Sequence, residues 1–181
     1  MKYKIAVSGA AETKICCKDA EKKAREVGKE IAKCNCVIVT GATIGIPYFS
    51  ADACKKAKGI SIGFSPAASK KAHIKVYHLP VDAFDIIVYT GFDYSGRNLI
   101  MTRASDAVIV ICGRMGTLNE FTIAYEDHKP IGVLEGTGGT ADIIRELIKF
   151  PRKRKPKVVF DKDPKKLVKK LLDIIIKEEK K

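Results

Sequence analysis

The sequence lacks any long uninterrupted apolar stretch. None of its runs approaches the roughly 18 apolar residues that a membrane-spanning helix needs. The opening residues, MKYKIAVSG, hold too short an apolar segment, too soon followed by charges, for a secretory signal. We therefore expect a cytoplasmic protein with no membrane partner. A hydrophobic share of 46% and a charged share of 30% are those of an ordinary globular protein, and 181 residues suit a single domain, 1–181.

Metal-binding spacings are missing as well. Zinc sites usually combine C-x2-C pairs, whereas the cysteines here occur as CC and C-x-C without a second matched pair. The three histidines, His73, His78 and His128, fit no metal or nucleophile arrangement. We expect no metal site and no resident cofactor. The six cysteines, which are Cys16, Cys17, Cys34, Cys36, Cys54 and Cys112, are interpreted as small, partly buried side chains in a reducing compartment.

Acidic residues are scarce at the C-terminal end. Residues 149–181 hold 14 Lys/Arg and 5 Asp/Glu, a net +9 out of +13 for the whole chain. Such a segment is either a patch for nucleic acid or another polyanion, or the solvated face of a lysine-rich helix. We favour the helix, because few aromatic residues interleave with the basic ones and because apolar residues recur at helical spacing over 167–176. Nucleic acid is therefore not the expected partner.

Short apolar runs alternate with longer amphipathic stretches along the whole chain. Strands are predicted at 3–7, 36–40, 60–64, 85–90, 107–112, 130–134 and 158–160, and helices at 18–33, 48–58, 97–105, 117–128, about 140–149 and from 164 onward. Residues 66–84 are predicted to be irregular. The strands lack polar alternation, so both sheet faces should be covered. We predict a single doubly wound Rossmann-like α/β domain with a mostly parallel sheet of about seven strands and helices on both faces. A basic linker, 149–157, leads to its last strand and helix.

Glycine-rich turns follow three of these strands. Gly9 ends the first strand, Gly41 and Gly45 follow the second, and Gly113 and Gly116 follow the fifth. Ligands of open α/β sheets bind beyond the carboxyl ends of the strands, where the strand order reverses. Glycine lets the backbone approach a ligand closely, and the helix that follows presents free N–H groups to an anion. We therefore expect a phosphorylated small molecule at these turns.

The segment ICGRMGTLNEF, residues 111–121, allows two interpretations. Either residues 113–117 cradle a phosphate, with Thr117 capping the next helix and Glu120 three residues later, or T-x-x-E is an ordinary capping box without further function. The residues alone leave both open. Cys112 is interpreted as a buried structural cysteine. Neither G-x-G-x-x-G nor G-x-x-x-x-G-K-[ST] is present, so a nicotinamide-dinucleotide site and a P-loop are not supported.

The stretch GRNLIMTRASDAVIVICGRMGTLNE, residues 96–120, resembles the signature of the LOG ("Lonely guy") family, long mislabelled as lysine decarboxylases. The matching positions are Arg97, Met101, Arg103, Asp106-Ala107 and the run from Cys112 to Glu120. The turn TGATIGIP, residues 40–47, is similar to the family's other glycine-rich loop in a degraded form. The similarity is close over 97–120 and topological over roughly 3–135. Members of the family are Rossmann-like nucleotide binders, usually dimers or larger, so the resemblance implies a homo-oligomer.

The resemblance implies a phosphoribohydrolase, which hydrolyses the N-glycosidic bond of a nucleoside 5′-monophosphate. In that reaction Glu120 would be the catalytic carboxylate, and Arg97 the cation beside it. Together with the glycine turns, the resemblance implies ligand-binding roles for Gly9, Gly41, Gly45, Met101, Arg103, Gly113, Arg114, Met115, Gly116 and Thr117. Two positions depart from the family pattern: Cys112 replaces a proline and Arg114 replaces a glycine. They favour an alternative, a non-catalytic carrier or sensor of a phosphorylated nucleotide or pterin, as in the related molybdenum-cofactor carrier-type proteins.

Overall fold

Seven parallel strands form one sheet in the computed structural model, which describes residues 1–149 and 156–180. The strands are β1 (Lys4–Gly9), β2 (Val37–Thr40), β3 (Ile60–Ser65), β4 (Ile86–Tyr89), β5 (Ala107–Ile111), β6 (Ile131–Leu134) and β7 (Val158–Asp161). Their order across the sheet is β4-β3-β2-β1-β5-β6-β7, and each neighbouring pair is parallel. The order therefore reverses between β1 and β5. The predicted doubly wound α/β fold is confirmed.

Helices cover both faces of the sheet. They are α1 (Ala20–Lys33), α2 (Ile46–Lys56), α3 (Lys70–Lys75), α4 (Asp93–Ala104), α5 (Met115–Glu126), α6 (Gly139–Leu147) and α7 (Pro164–Glu179). One apolar core joins the sheet to α1, α2 and α7. A second core joins the opposite face to α4, α5 and α6. Between these two layers the central strands have water on neither face.

Strand β5 shows why the sequence lacks polar alternation. All five of its residues are buried. Ile109 and Ile111 belong to the core of α1, α2 and α7, whereas Val108 and Val110 belong to the core of the other helices. Successive strand side chains point to opposite faces, so a strand that is covered on both sides needs an apolar residue at every position.

Helix α3 was not expected, because its six residues lie inside the stretch predicted to be irregular. Ser69 starts it by accepting a hydrogen bond from the N–H of Ala72 at 3.2 Å. The ring of His73 is fully buried, with Nδ1 2.8 Å from the Ser65 hydroxyl and Nε2 3.0 Å from the Pro80 carbonyl oxygen. A helix this short has too few turns for an apolar period to show in the sequence.

The C-terminal helix agrees with the lysine-rich interpretation of the tail. Its apolar side contributes Leu167, Val168, Leu171 and Ile175 to a core. Asp163 caps the helix by accepting from the N–H groups of Lys165 and Lys166. Most of the predicted basic linker, with its cluster at 152–155, lies outside the described residues. Within the described part of the chain, no helix is long and apolar enough to cross a membrane.

Candidate functional site

A cavity of about 260 Å³ lies at the carboxyl ends of β1, β2 and β5. This is the point where the strand order reverses, as expected for a ligand site in an open α/β sheet. Seven of the residues predicted for the site line this cavity: Gly9, Gly41, Arg97, Arg114, Gly116, Thr117 and Glu120. They come from four separate segments of the chain, and the sheet order brings them together.

Glu120 is the buried acid of the cavity. It lies on α5, 7% exposed, and its carboxylate accepts a hydrogen bond from the hydroxyl of Ser8 near the end of β1. Burial raises the pKa of the Glu120 carboxyl, while the charge of Arg97 and the bond from Ser8 oppose that shift. Water is largely excluded around this group, so the carboxyl keeps a proton more readily than an exposed glutamate does. Such a group can act as a general acid or base.

Arg97 supplies a buried cation on α4. The residue is 5% exposed, and burial lowers its pKa while the charge of Glu120 raises it. Its Nε is buried without a hydrogen-bond partner among the described residues. Its guanidinium carbon lies 5.8 Å from the centre of the Tyr94 ring, which also lines the cavity. Buried polar atoms of proteins are normally paired, so the guanidinium of Arg97 keeps an unused donor beside the cavity.

Gly41 makes room for that guanidinium. A Cβ built on Gly41 would lie 1.4 Å from Nη1 of Arg97. No side chain can share that space, so the glycine is required by Arg97 and not by an unusual turn of the backbone. The turn after β2, which the sequence predicts to approach a ligand, therefore also fixes the position of the cation.

Helix α5 begins at the cavity and begins earlier than predicted. Its first residue is Met115, so Thr117 is inside the first turn and Glu120 lies a further turn along. The predicted capping box is therefore wrong: Thr117 is not the N-cap. The turn before the helix is tight, with positive φ at both Cys112 and Gly113. A Cβ at Gly113 would lie 2.4 Å from Cγ2 of Thr117.

Helix α5 begins directly after Arg114, which lines the cavity. A helix has no internal partners for its first N–H groups, and its positive dipole end adds to their attraction for an anion. Gly116 lines the cavity, and a Cβ there would have no atom within 4 Å among the described residues. A phosphate oxygen can therefore approach the backbone at this position without a clash.

An ion pair spans the mouth of the cavity. Nη2 of Arg114 lies 2.6 Å from Oε2 of Glu12, which follows β1. The hydrogen bond and the charge of Arg114 lower the pKa of the Glu12 carboxyl. Both side chains are exposed. Arg114, which stands where the LOG pattern has a glycine, is thus turned toward the β1–α1 segment rather than filling the cavity floor.

Two cysteines beside the cavity form a disulfide. Cys16 and Cys112 are bonded, with their Cα atoms 5.6 Å apart, although 96 residues separate them in the chain. The expectation that all six cysteines are reduced is therefore wrong for this pair. Spacing in the sequence gives no sign of the pairing, because it depends on the loops after β1 and β5 lying side by side. The other four cysteines are free, and no group of three or more potential metal ligands occurs within the described residues.

Five of the predicted positions do not line the cavity: Gly45, Met101, Arg103, Gly113 and Met115. Met101 is fully buried in the core beneath α4. Arg103 is exposed and its Nε donates to Asp127 at 3.0 Å. Met115 is 76% exposed. Gly45, with φ of +71°, precedes the first residue of α2 and lies against the backbone of residues 10 and 11.

Some residues at the site were missed by sequence reasoning. Glu12 and Asn98 line the cavity, and Ser8 contacts Glu120. Ser8 and Glu12 belong to no motif, and Asn98 lies within the 96–120 stretch but is not one of its matching positions. Asn98 lines the cavity, and its Nδ2 donates to Asn119 at 3.0 Å. The signal available for Ser8 was its place at the end of a predicted central strand. Its contact with Glu120 could not be found without knowing that β1 lies beside β5.

Similar solved structures cover almost the whole chain. The molybdenum cofactor binding protein of Rippkaea orientalis is 28% identical, with a TM-score of 0.75 over 97% of this chain and 98% of that one. The molybdenum cofactor carrier protein of Chlamydomonas reinhardtii is 24% identical, with a TM-score of 0.76 over 97% and 99%. DNA processing protein A of Helicobacter pylori is 18% identical, with a TM-score of 0.64 over 95% and 81%. The last two likenesses show a shared fold.

The sequence model of one protein family matches most of this chain. The sequence model of the SLOG cluster4 family matches residues 2–168. An uncharacterized protein of Archaeoglobus fulgidus is 29% identical over 131 residues, which are 72% of this chain and 79% of that protein. The resemblance seen in the sequence is therefore confirmed for the wider SLOG grouping. The narrower assignment to the LOG family is not confirmed by this match.

Proposed function

This chain belongs to the SLOG cluster4 family, and from that membership we propose that its cavity binds a phosphorylated nucleotide-like or pterin-like small molecule. The proposal keeps the ligand class that the glycine-rich turns predict. It assigns binding to the seven cavity residues named above and leaves Met101, Arg103 and Met115 in supporting positions on α4 and α5.

The observation that carries the proposal is the unpartnered Nε of Arg97. Leaving a buried donor unpaired costs free energy, and a buried cation needs a counter-charge that Glu120, with its raised pKa, supplies only in part. An anionic ligand would complete the set. The free N–H groups of α5 lie on the same cavity and favour the same ligand charge.

For the ligand itself we propose a carrier role with a phosphorylated pterin of the molybdenum-cofactor type as the first candidate. The protein of Rippkaea orientalis that bears the name of this cofactor is 28% identical over nearly full length. Arg114, which stands where the LOG pattern has a glycine, pairs with Glu12 across the cavity mouth, so the cavity departs here from the pattern of the hydrolases.

Calorimetry with a pterin monophosphate, AMP and ADP-ribose tests the carrier role. We expect micromolar binding of at least one ligand, and Arg97→Gln should weaken it tenfold or more, because a charge-assisted bond contributes about 1.5–3 kcal/mol. Arg103→Gln is the matched control, since that arginine is on the same helix but outside the cavity. Absence of binding for all three ligands, or equal losses in the two variants, would contradict the proposal.

Glu120 favours a second candidate, hydrolysis of a nucleoside 5′-monophosphate. A buried carboxyl with a raised pKa near a cation is suited to protonate a leaving base or to activate water at the sugar carbon. We expect AMP to yield free base and ribose 5-phosphate, and chromatography of the reaction mixture measures both products. Glu120→Gln should reduce kcat by about a hundredfold or more while AMP affinity changes little, because glutamine cannot transfer the proton that moves in the transition state.

A matched control for that variant is Glu146→Gln, an exposed acid on α6. It should leave turnover unchanged. Binding without any base release would leave the carrier role as the function of the cavity. Full activity in Glu120→Gln would remove this residue from the chemistry.

A further inference from the structure

One wall of the cavity is a short segment with little packing of its own. Between β1 and α1 the chain passes through residues 10–16, of which 11–15 are all exposed. Ala10, Ala11 and Glu12 line the cavity. The side chain of Glu12 is held by the ion pair to Arg114, and exposed pairs of this kind contribute little. The position of this wall therefore depends on what holds its two ends.

The first end is fixed by the sheet, and the second by the disulfide together with a single antiparallel β-bridge between Cys16 and Gly138. The carbonyl of Ala10 accepts from the N–H of Ile46 at 2.9 Å, directly after β1. At the other end Cys16 is bonded to Cys112, and the next N–H, of Cys17, donates to the Thr137 carbonyl at 3.0 Å. The disulfide is thus the covalent link between the wall and the opposite side of the cavity.

Cys112 is anchored without the disulfide. Its side chain is fully buried, its N–H donates to the Thr137 hydroxyl at 2.8 Å, and its carbonyl accepts from the N–H of Ala141 at 2.9 Å. Breaking the sulfur–sulfur bond would leave this residue and the start of α5 in place. The exposed residues 11–15 would lose their attachment to it.

We propose that the Cys16–Cys112 disulfide is a redox latch that holds residues 10–16 as a wall of the ligand cavity, so that its reduction by a dithiol opens the cavity. The effect on ligand affinity rests on the proposed binding function. The effect on the wall itself does not.

The reduction takes two electrons and two protons from the dithiol. A thiolate of the reductant attacks Sγ of Cys16, which is the more accessible sulfur because Cys112 is fully buried. The Cys16–Cys112 bond breaks, and Cys112 leaves as a thiolate and takes up a proton. The second thiol of the reductant then attacks the mixed disulfide, which releases Cys16 as a thiol and the reductant as a cyclic disulfide.

Hydrogen exchange followed by mass spectrometry tests the wall directly. In the oxidised protein we expect slow exchange for the amides of Cys16 and Cys17, which donate to the carbonyls of Thr13 and Thr137 at 2.9 and 3.0 Å. After dithiothreitol treatment their exchange should be about tenfold faster, because local opening at the end of the wall becomes more frequent. The amides of β5 should be unchanged. Equal exchange in the two states would overturn the proposal.

Two variants separate the latch from general effects of the reductant. Cys16→Ser should behave like the reduced protein with or without dithiothreitol. Cys17→Ser is the matched control, because the neighbouring cysteine is free, and it should keep the full response. A response that is lost in Cys17→Ser, or kept in Cys16→Ser, would assign the effect to another thiol.

Two measurements report the opening of the cavity: the rate at which Arg97 is chemically modified, and the affinity for a ligand. Modification of Arg97 by phenylglyoxal, mapped by mass spectrometry, should be faster in the reduced protein, and an unchanged rate would overturn the latch whether or not a ligand is known. If the ordered wall is populated in about a tenth of reduced molecules, the Kd for AMP or the pterin monophosphate should rise about tenfold. Failure of both ligands to bind in either state would count against the proposed function alone.

Discussion

At Glu120 burial and charge oppose each other. The raised pKa means that folding disfavours the ionised carboxyl, even with Arg97 close enough to attract it. A folded-state pKa above the unfolded one gives a contribution to stability that is present at low pH and lost as the pH rises through the folded-state pKa. The ionised form of Glu120 lowers the stability of the fold. A role in ligand binding or in a reaction therefore explains this residue better than a role in stability.

Glu120→Gln should therefore raise the melting temperature near pH 7. The amide has the shape of the neutral carboxyl and removes the ionisation that burial disfavours. The difference between the variant and the original protein should shrink as the pH falls toward about 4.5, the ordinary value for glutamate. Thermal unfolding by circular dichroism between pH 4 and pH 8 measures it. A difference that is constant with pH, or a less stable variant at pH 7, would contradict this assignment.

Gly41 and Gly116 form a matched pair of glycines on one cavity. Gly41→Ala places a methyl group on the Arg97 guanidinium, so it should weaken ligand binding tenfold or more and destabilise the protein by about 1–3 kcal/mol through overpacking. Gly116→Ala meets open space in the described structure and should leave the free energy of unfolding unchanged or slightly raised, since alanine favours a helix. Urea unfolding and calorimetry measure both. Equal destabilisation would show that the guanidinium lies elsewhere.

At the scale of single elements, the sequence predicts what depends on local pattern. All seven strands were found within a few residues, because a strand buried on both faces is a run of apolar side chains such as residues 107–111. The starts of α4 and α5 were placed too late. Helix α4 was predicted to begin at residue 97, but it starts at Asp93, and Gly96 lies in its first turn. A helix start is decided by backbone geometry, which composition does not show.

Helix α7 offers a test of an N-terminal cap. Asp163 accepts from two free N–H groups of the first turn. Asp163→Ala should lower the free energy of unfolding by about 1 kcal/mol, the usual effect of losing an N-cap. Lys169→Ala, an exposed change inside the same helix, should stay within about 0.5 kcal/mol. Urea titration measures both variants, and equal effects would mean that the cap contributes nothing to this helix.

At the scale of the whole molecule, the sequence predicts where the cavity lies but not which distant residues meet there. The motif at 96–120 lies on two helices and one strand that are consecutive, so its place near a strand end followed from the alternating pattern. The contact of Ser8 with Glu120 and the disulfide each join residues about a hundred positions apart. Such contacts arise because β5 lies beside β1, and neighbouring strands in the sheet need not be neighbours in the chain.

The charge of the whole molecule leads to the last prediction. The net charge of +13 attracts any polyanion at low salt. DNA processing protein A of Helicobacter pylori, which shares the fold, binds single-stranded DNA. Here the apolar side of α7 is buried in the core and its lysines cover the solvent side. We therefore expect no binding of a single-stranded oligonucleotide by micromolar protein in anisotropy titrations at about 0.15 M salt, near physiological ionic strength. Binding that survives this salt and is lost when residues 152–155 are neutralised would instead make nucleic acid a partner of this protein.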